Sequence, residues 1–412
     1  MTRHIAIIGA GPSGCFVAQA LLKEHPEGLQ VDVFDRLPVP FGLVRYGIAA
    51  DHQGTKAISR QFERLFTRQG ARFIGNAEVG ETLGLEDVRS TYDAVVLATG
   101  LSGDRKLGIP GEELEGVTGS GQFTRALNEH PDSAGLPLLG PDVVVMGNGN
   151  VAIDIVRLIA KTPAELEGTD LGEAPTTWLA ANRPRTITIV GRSAGVKARF
   201  DPVMVKELGK LAAAGFAVDD PGEAADETEA RRADALRCLG ERSGMPLIRF
   251  RFGLAPESLE GKDGRVACAK FRKADGSTEI LPCTALISAI GFAHHGSPER
   301  PGAADAPLGS MEMAPGLFAA GWYYRGPRGT IPDNRADARL IAERISAWLA
   351  RTRSDPPKPG LGGLQPAGRW VDYAGWERID ARETAGLPEG RCRRKIPSRE
   401  AMLAIAGPKD EN

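Results

Sequence analysis

The stretch His4-Ile5-Ala6-Ile7-Ile8-Gly9-Ala10-Gly11-Pro12-Ser13-Gly14 decides the fold. An apolar run feeds directly into three glycines spaced G-x-G-x-x-G, the pattern of a strand, a tight turn and the start of a helix. Gly9 permits the sharp exit from the strand, Gly11 has no Cβ to block a pyrophosphate, and Gly14 lets the helix pack close on the sheet. Pro12 suits the first helical turn, where its missing N–H costs nothing. Unpaired amides and the positive end of the helix dipole then face the phosphates, so Gly9, Gly11, Pro12, Ser13 and Gly14 are candidate cofactor-binding residues. A second apolar strand, Gln30 to Phe34, ends in Asp35, about 20 residues past the last glycine, where an acid takes the ribose hydroxyls.

The same pattern recurs. Asp142 to Met146 is a short apolar strand running into Gly147-Asn148-Gly149-Asn150-Val151-Ala152, spaced G-x-G-x-x-A, and a helix from Ala152 to Lys161 that Pro163 stops. Two such units mean two dinucleotides. A helical excursion through Trp178 leads to the partner strand, Thr186 to Val190, which ends in Gly191-Arg192 with no carboxylate. An acid there would repel a 2'-phosphate, whereas a guanidinium pairs with one, so Asp35 suits FAD and Arg192 suits NADP.

At 412 residues the chain is too long for one compact core and suits two or three domains. A net charge of -2 excludes a strongly basic nucleic-acid binder, and no apolar run approaches a membrane span. The first strand begins within the first few residues, which leaves no room for a presequence and implies a cytoplasmic protein. The cysteines, Cys15, Cys238, Cys268, Cys283 and Cys392, are scattered and lack any C-x-x-C pair. They fit neither a disulfide framework nor a metal site, they disfavour disulfide reduction, and all five read as buried small hydrophobes.

Between the motifs, Leu37 to Ile48 is rich in proline and glycine yet apolar, and lies either against a flat isoalloxazine ring or on the protein core. An amphipathic helix is expected from Thr55 to Gly70, and strands at Phe73 to Val79 and Tyr92 to Gly100. Asp201-Pro202 opens a helix running to about Ala214. The charged helical run Gly222 to Gly244 is either a solvated face or a docking surface. Leu247 to Phe252, Val266 to Arg272 and Thr278 to Leu281 are expected to form an antiparallel meander, closed by the buried strand Thr284 to Phe292 and a crossing loop, Ala293 to Pro315. Leu317 to Ala320 leads into Gly321-Trp322, a glycine-rich turn Arg325 to Ile331 and a helix from Asn334 to Ala350. Such a turn presents amides and positive dipole to the edge of a reduced flavin. A flexible connector follows, and then a tail, Trp370 to Gly407, too rich in Trp, Arg and Leu for disorder.

The chain resembles the ferredoxin-NADP reductases of the adrenodoxin reductase type. The resemblance is carried by PFGLVRYGIAADH (Pro40 to His52), GNGNVAID (Gly147 to Asp154), IVGR (Ile189 to Arg192), KEL (Lys206 to Leu208), GWYYRGPRGTI (Gly321 to Ile331) and the tail motifs from Gly375-Trp376 to Lys395. It implies an α/β fold of two Rossmann-like dinucleotide-binding domains, the second inserted into the first: FAD-binding over 1–104 and 316–412, NADP-binding over 105–315. It implies a monomeric enzyme that passes electrons from NADPH through FAD to a ferredoxin-type iron-sulfur protein, supplying a monooxygenase or biosynthetic pathway. By the same resemblance, His52 and Glu207 form a charged catalytic pair near the nicotinamide with Asp154 close by. Gly42, Leu43, Val79, Gly100, Gly321, Trp322, Gly329, Thr330 and Ile331 contact FAD; Gly147, Asn148, Gly149, Asn150, Val151 and Arg192 contact NADP. The chain departs from the family at three places that bear on coenzyme and acceptor choice. Ser193 replaces a second arginine, with Lys197 and Arg199 where relatives are uncharged; Arg328 replaces a threonine; Arg125-Ala126-Leu127 replaces Gly-Trp-Tyr. Direct reduction of a quinone or small organic substrate is the alternative enzyme reading, and a flavin-bound relay subunit of a larger complex is a third.

Overall fold

The computed structural model describes residues 2–294, 311–365 and 368–407. Most of the crossing loop expected over 293–315 lies outside them. From the N-terminus the chain lays down β1 (Arg3–Ile8), β2 (Leu29–Phe34), β3 (Arg72–Ile74) and β4 (Ala94–Leu97), then crosses over through β5 (Gly103–Asp104). It continues through β6 (Val117–Gly119), β7 (Asp142–Met146), β8 (Thr186–Val190), β9 (Gly215–Val218) and β10 (Leu247–Arg251). A separate ribbon of β11 (Ala255–Lys262), β12 (Arg265–Arg272) and β13 (Thr278–Pro282) follows, then β14 (Ala285–Ser288) and β15 (Phe292–Ala293). β16 (Glu312–Ala314) and β17 (Leu317–Ala319) complete the set.

These strands make two six-stranded sheets, ordered β16-β17-β4-β1-β2-β3 and β6-β14-β7-β8-β10-β9. The central strands are parallel and buried on both faces, which is why they are continuous apolar runs: Ile5, Ile7, Val31, Val33 and Val96 are closed to solvent in the first sheet, as are Val145, Ile187, Ile189 and Ile248 in the second. Each such side chain contributes roughly 1.5–3 kcal/mol on burial. The connection between the sheets is the two-residue pairing of β5 with β15, where Phe292 lies opposite Asp104. β16 already belongs to the first sheet, so the first unit resumes at Glu312, ahead of the boundary expected at residue 316.

Several expectations are corrected. The strand Leu247 to Phe252 is not part of the meander; β10 lies parallel between β8 and β9 in the second sheet. Its Leu-Ile-Arg-Phe-Arg alternation arises because Ile248 and Phe250 face the core while Arg251 pairs with Asp219 at 2.8 Å and with Glu279 of β13 at 2.6 Å. The meander is built instead from β11, β12 and β13, in antiparallel register. The strand expected over 73–79 stops at Ile74, because Asn76 takes a positive φ of 56° and Gly75 exchanges two hydrogen bonds with Val371 of the tail, at 2.7 and 2.9 Å. The helix expected over 55–70 is two helices, Gln53–Lys56 and Ser59–Thr67, and the helix expected to reach Ala214 ends at Leu208. Within the loop Leu37 to Ile48, residues Leu43–Tyr46 form one helical turn. No helix among the described residues is long and apolar enough to cross a membrane.

Candidate active site

The two glycine turns are built alike. Gly9 has φ 110°, donates its N–H to the carbonyl ending β2 (Phe34, 2.7 Å), and a Cβ on it would meet Ala98 O, just past β4, at 2.5 Å. Gly147 has φ 118°, donates to the carbonyl ending β8 (Val190, 2.9 Å), and its Cβ would meet Ala289 O, just past β14, at 2.3 Å. Only glycine fits either place. Each turn feeds a helix, Pro12–Glu24 or Asn150–Ala160, whose first-turn amides have no partner within the helix. A Cβ on Gly11 would come no nearer to the protein than 4.0 Å, and one on Gly149 would meet nothing within 4 Å. The donors and the clearance fit a dinucleotide pyrophosphate at each helix.

Around the first turn, Asp35 is held by the backbone: one carboxylate oxygen accepts from Ala10 N at 2.9 Å, the other from Leu37 N at 3.0 Å. Burial pushes its carboxyl upward, and the two amide hydrogen bonds oppose that shift. Phe41, at φ 79°, and Gly42, at φ 45°, are consecutive residues in left-handed backbone, and they bring Gly42 against Gly11, where a Cβ would stand 3.1 Å from the Gly11 Cα. The cost of the Phe41 conformation is of order 1–3 kcal/mol. It is offset by the Phe41 N–H bond to Ala10 O (2.9 Å) and by the ring's edge contact with Trp376 at 6.0 Å. Leu43 is 43% exposed, whereas Leu37, Val39, Phe41, Val44 and Tyr46 of the same loop are buried in the core of the first unit. Val79 is buried beside Leu83, and Gly100 follows β4 at φ 70°.

The returning chain closes over the same turn. Gly321, at φ 59°, leaves no room for a Cβ, which would fall 1.9 Å from Ser13 Oγ. Trp322 stacks on Phe292 of the crossing ribbon, ring centroids 5.5 Å apart. Arg325 fixes the following glycine-rich turn through Asp337 (2.5 Å), Asn334 (2.6 Å) and the Arg328 carbonyl (3.0 Å). Gly329 has φ 81°, and the long helix starts at Ile331, three residues before the expected Asn334. Asp333 turns back to accept from Thr330 N and Oγ1, at 2.5 and 2.9 Å. The helix end expected to bear only positive dipole therefore also carries a carboxylate.

A charged cluster joins the two units. His52 Nε2 lies 3.3 Å from Glu207 Oε2, and its Nδ1 lies 3.8 Å from Asp154 Oδ1. Asp201 starts the short helix that carries Glu207, accepting from Val203 N at 2.9 Å as its N-cap. Sequence reasoning missed the centre of the cluster, Arg157. Its buried guanidinium binds both oxygens of Asp51 at 2.8 Å, Asp154 at 2.7 Å and Glu207 at 3.5 Å, while Lys161 adds a second cation on Asp51 at 2.7 Å. These cations hold the Asp51 carboxyl far below the usual range, whereas burial pushes Asp154 up against the pull of Arg157. The available signal was a lone arginine in the apolar run Ile153-Asp154-Ile155-Val156-Arg157-Leu158-Ile159.

Beyond the second turn, Asn150 does not cap its own helix but accepts from Asp201 N at 2.7 Å, and the Asn148 amide lies against Gly191. Val151 packs on the core of the second unit. Arg192 and Ser193 are exposed. Arg125 donates to Ser102 O at 2.8 Å, beside the crossing. The basic side chains of the run over 222–244 and of the tail are largely spent within the protein: Arg231 pairs with Glu227, Arg237 faces Asp234, Arg393 binds Asp380 and Glu383, and Lys395 is buried on Asp170 at 2.9 Å. Of the cysteines only Cys15 and Cys283 are buried, the Cys283 thiol being pushed up to about 12 by burial; Cys238 and Cys392 are exposed.

Residues 3–214 match the family model described as pyridine nucleotide-disulphide oxidoreductase. Cindoxin reductase of Citrobacter braakii is 40% identical over 98% of this chain and 91% of its own length. The mitochondrial NADPH:adrenodoxin oxidoreductase of Homo sapiens is 32% identical over 98% and 92%. The solved structure of Mycobacterium tuberculosis FprA in complex with NADPH superposes with a TM-score of 0.91 at 30% identity, covering 98% of this chain and all of that one. Two matching glycine turns, the charged pair between them and end-to-end similarity to these relatives agree: the chain belongs to the pyridine nucleotide-disulphide oxidoreductases, in the branch of ferredoxin-NADP reductases of the adrenodoxin reductase type.

Proposed function

We propose that this protein is an FAD-dependent ferredoxin-NADP reductase that takes electrons from NADPH and delivers them to an iron-sulfur protein. The observation that carries the reading is the pair of equivalent turns, Gly9 to Gly14 and Gly147 to Ala152, on two sheets bridged by His52 and Glu207 at 3.3 Å. FAD held at the first turn, by the residues from Gly9 to Gly14 with Asp35 and Gly42, would supply a carrier able to take an electron pair and release electrons singly, the chemistry a one-electron acceptor requires. In this reading the first unit, 1–104 with the returning chain from Glu312, holds FAD, and the unit inserted between them holds NADPH.

The residues supply position and field. Gly11 and Gly42 admit the flavin pyrophosphate, and Asp35, anchored by two amides, offers its remaining lone pairs to ribose hydroxyls. His52 stands between Glu207 and Asp154, so its ring is oriented by carboxylates of the second unit while its backbone belongs to the first. That arrangement fixes the position of the imidazole and the local charge where the two units meet; it need not move a proton.

The test is direct. The purified yellow protein should bleach on anaerobic addition of NADPH and reduce cytochrome c only when an iron-sulfur protein is added, best found by screening a panel of them. Quinone reduction that is fast without any iron-sulfur protein, together with no response to the whole panel, would overturn the assignment.

A further inference from the structure

The loop after β8 carries three cations, Arg192, Lys197 and Arg199, where the family resemblance leads one to expect two adjacent arginines. They are not equivalent in the structure. Lys197 is tied to Glu229, whose other oxygen accepts from Ala225 N at 2.9 Å, so its charge is used inside the loop. Arg192 and Arg199 are exposed, and among the described residues neither guanidinium is held by a carboxylate. Their backbones address different parts of the second glycine turn. Arg192 follows Gly191, which touches the Asn148 side chain beyond the end of β8. Arg199 forms a parallel bridge with Gly149 itself, and two residues on, Asp201 N is bonded to Asn150 Oδ1 at 2.7 Å. The segment from Arg199 to Glu207 thus starts at the mouth of the turn and ends at His52.

In a strand-turn-helix dinucleotide site the pyrophosphate sits at the helix N-terminus and the adenosine 2'-position lies beyond the end of the next strand. Resting on the coenzyme reading above, we propose that Arg199 is a pyrophosphate-binding residue and that Arg192 alone serves the 2'-phosphate. The acidic neighbour, Asp201, forms no ion pair with the guanidinium among the described residues, and one of its carboxylate oxygens caps Val203 N. Compared with a pair of arginines on the 2'-phosphate, this distribution moves one cation onto a group that NADPH and NADH share. Affinity is kept while discrimination between the coenzymes falls.

Holoenzyme carrying Arg199→Ala or Arg192→Ala tests this by calorimetric binding of NADP+, NAD+ and 2'-AMP, supported by Michaelis constants for NADPH and NADH with ferricyanide. A charge-assisted phosphate contact corresponds to roughly ten- to a hundredfold in affinity. Arg199→Ala should weaken NADP+ and NAD+ by the same factor and leave 2'-AMP unchanged, whereas Arg192→Ala should weaken NADP+ and 2'-AMP and spare NAD+. If Arg199→Ala alters neither dinucleotide, or weakens NADP+ and 2'-AMP while sparing NAD+, Arg199 has no pyrophosphate role. If wild-type holoenzyme binds no nicotinamide dinucleotide at all, the coenzyme reading itself falls, and this assignment with it.

Discussion

Replacing Arg157 with methionine should unsettle both the fold and the cluster at the interface of the two units. The side chain is 4% exposed and holds three carboxylates: Asp51 through two bonds of 2.8 Å, Asp154 at 2.7 Å and Glu207 at 3.5 Å. Removing one partner of a buried ion pair typically costs about 3–5 kcal/mol, because the other charge stays buried and unpaired. Lys161 remains on Asp51, so the lower end, about 3 kcal/mol, is the expectation. At ~2–4 °C per kcal/mol for units of this size, the melting temperature should fall by roughly 6–12 °C. Asp51→Asn in the Arg157→Met background should recover part of that loss, since the amide is not charged. Arg157→Lys should recover little, as an ammonium lacks the planar fork that reaches Asp51 with two bonds and Asp154 with a third. Differential scanning fluorimetry on the four proteins measures this. A drop under 2 °C for Arg157→Met, or no rescue by Asp51→Asn, would refute the claim that the guanidinium neutralises buried carboxylates.

Three further outcomes follow from separate features. Gly11→Val places side-chain atoms between Gly11 and Gly42, where the pyrophosphate is expected, and should give folded but colourless protein; stoichiometric FAD on this variant, read from its visible spectrum, would be incompatible with the first site. Lys56 shares Asp170 with Lys395, and burial with the repulsion from Lys395 pushes its ammonium down to about 7. An unfolded lysine titrates near 10.4, so between those values the unfolded chain binds the extra proton and stability rises with pH, by at most about 1.4 kcal/mol per unit. The melting-temperature gap between wild type and Lys56→Met should therefore widen from pH 7 to pH 9.5, and a constant gap would show that Lys56 keeps an ordinary value. For Asp51 the sign is the same but the window is acidic: its depressed carboxyl stabilises the fold above the unfolded value near 3.9, and that contribution should be lost as the pH falls below it, so Asp51→Asn should flatten the acid limb of the stability curve.

The sheets and turns were legible in the sequence because their signals are local. Spacing alone locates Gly9 and Gly147, since a strand that must turn sharply beneath its neighbour's carbonyl has one residue type that fits. β10 was misplaced for the opposite reason: its alternation depends on what covers each face, and Asp219 and Glu279 come from elsewhere in the chain. The positive φ of Phe41 carries no sequence mark, because tertiary contacts with Ala10 and Trp376 hold it there. Asp51, Arg157 and Lys161 were invisible as a group because Asp51 lies more than 100 residues from the other two and their meeting depends on how two domains sit together. Lys395 stands in the basic run Arg391 to Lys395 of the tail and is nevertheless buried, since such a run gives no hint of which member meets an aspartate.

That last correction changes how the tail is understood. Lys395 comes from the C-terminal segment, Lys56 from the first unit just after His52, and Asp170 from the second, and the three charges meet out of solvent with Asn128 alongside. Glu383 of the tail ties that segment to the first unit, pairing with buried Arg45 of the loop after β2 while binding Arg393 and the Ile396 amide. The strand pairing between the units is only two residues long, too little to set their separation by itself. Beside the apolar packing of Ala49 and Ala50 on the second unit's core, their relative position is held by buried charge at two places, Arg157 with Asp51 and Lys56 and Lys395 with Asp170, each of which is costly to separate because its members cannot be left unpaired away from water. His52 lies between those two anchors in the sequence, one residue after Asp51 and four before Lys56. The contact between His52 and Glu207 is thereby held by its neighbours on both sides, and the tail acts on the geometry of the site without touching it.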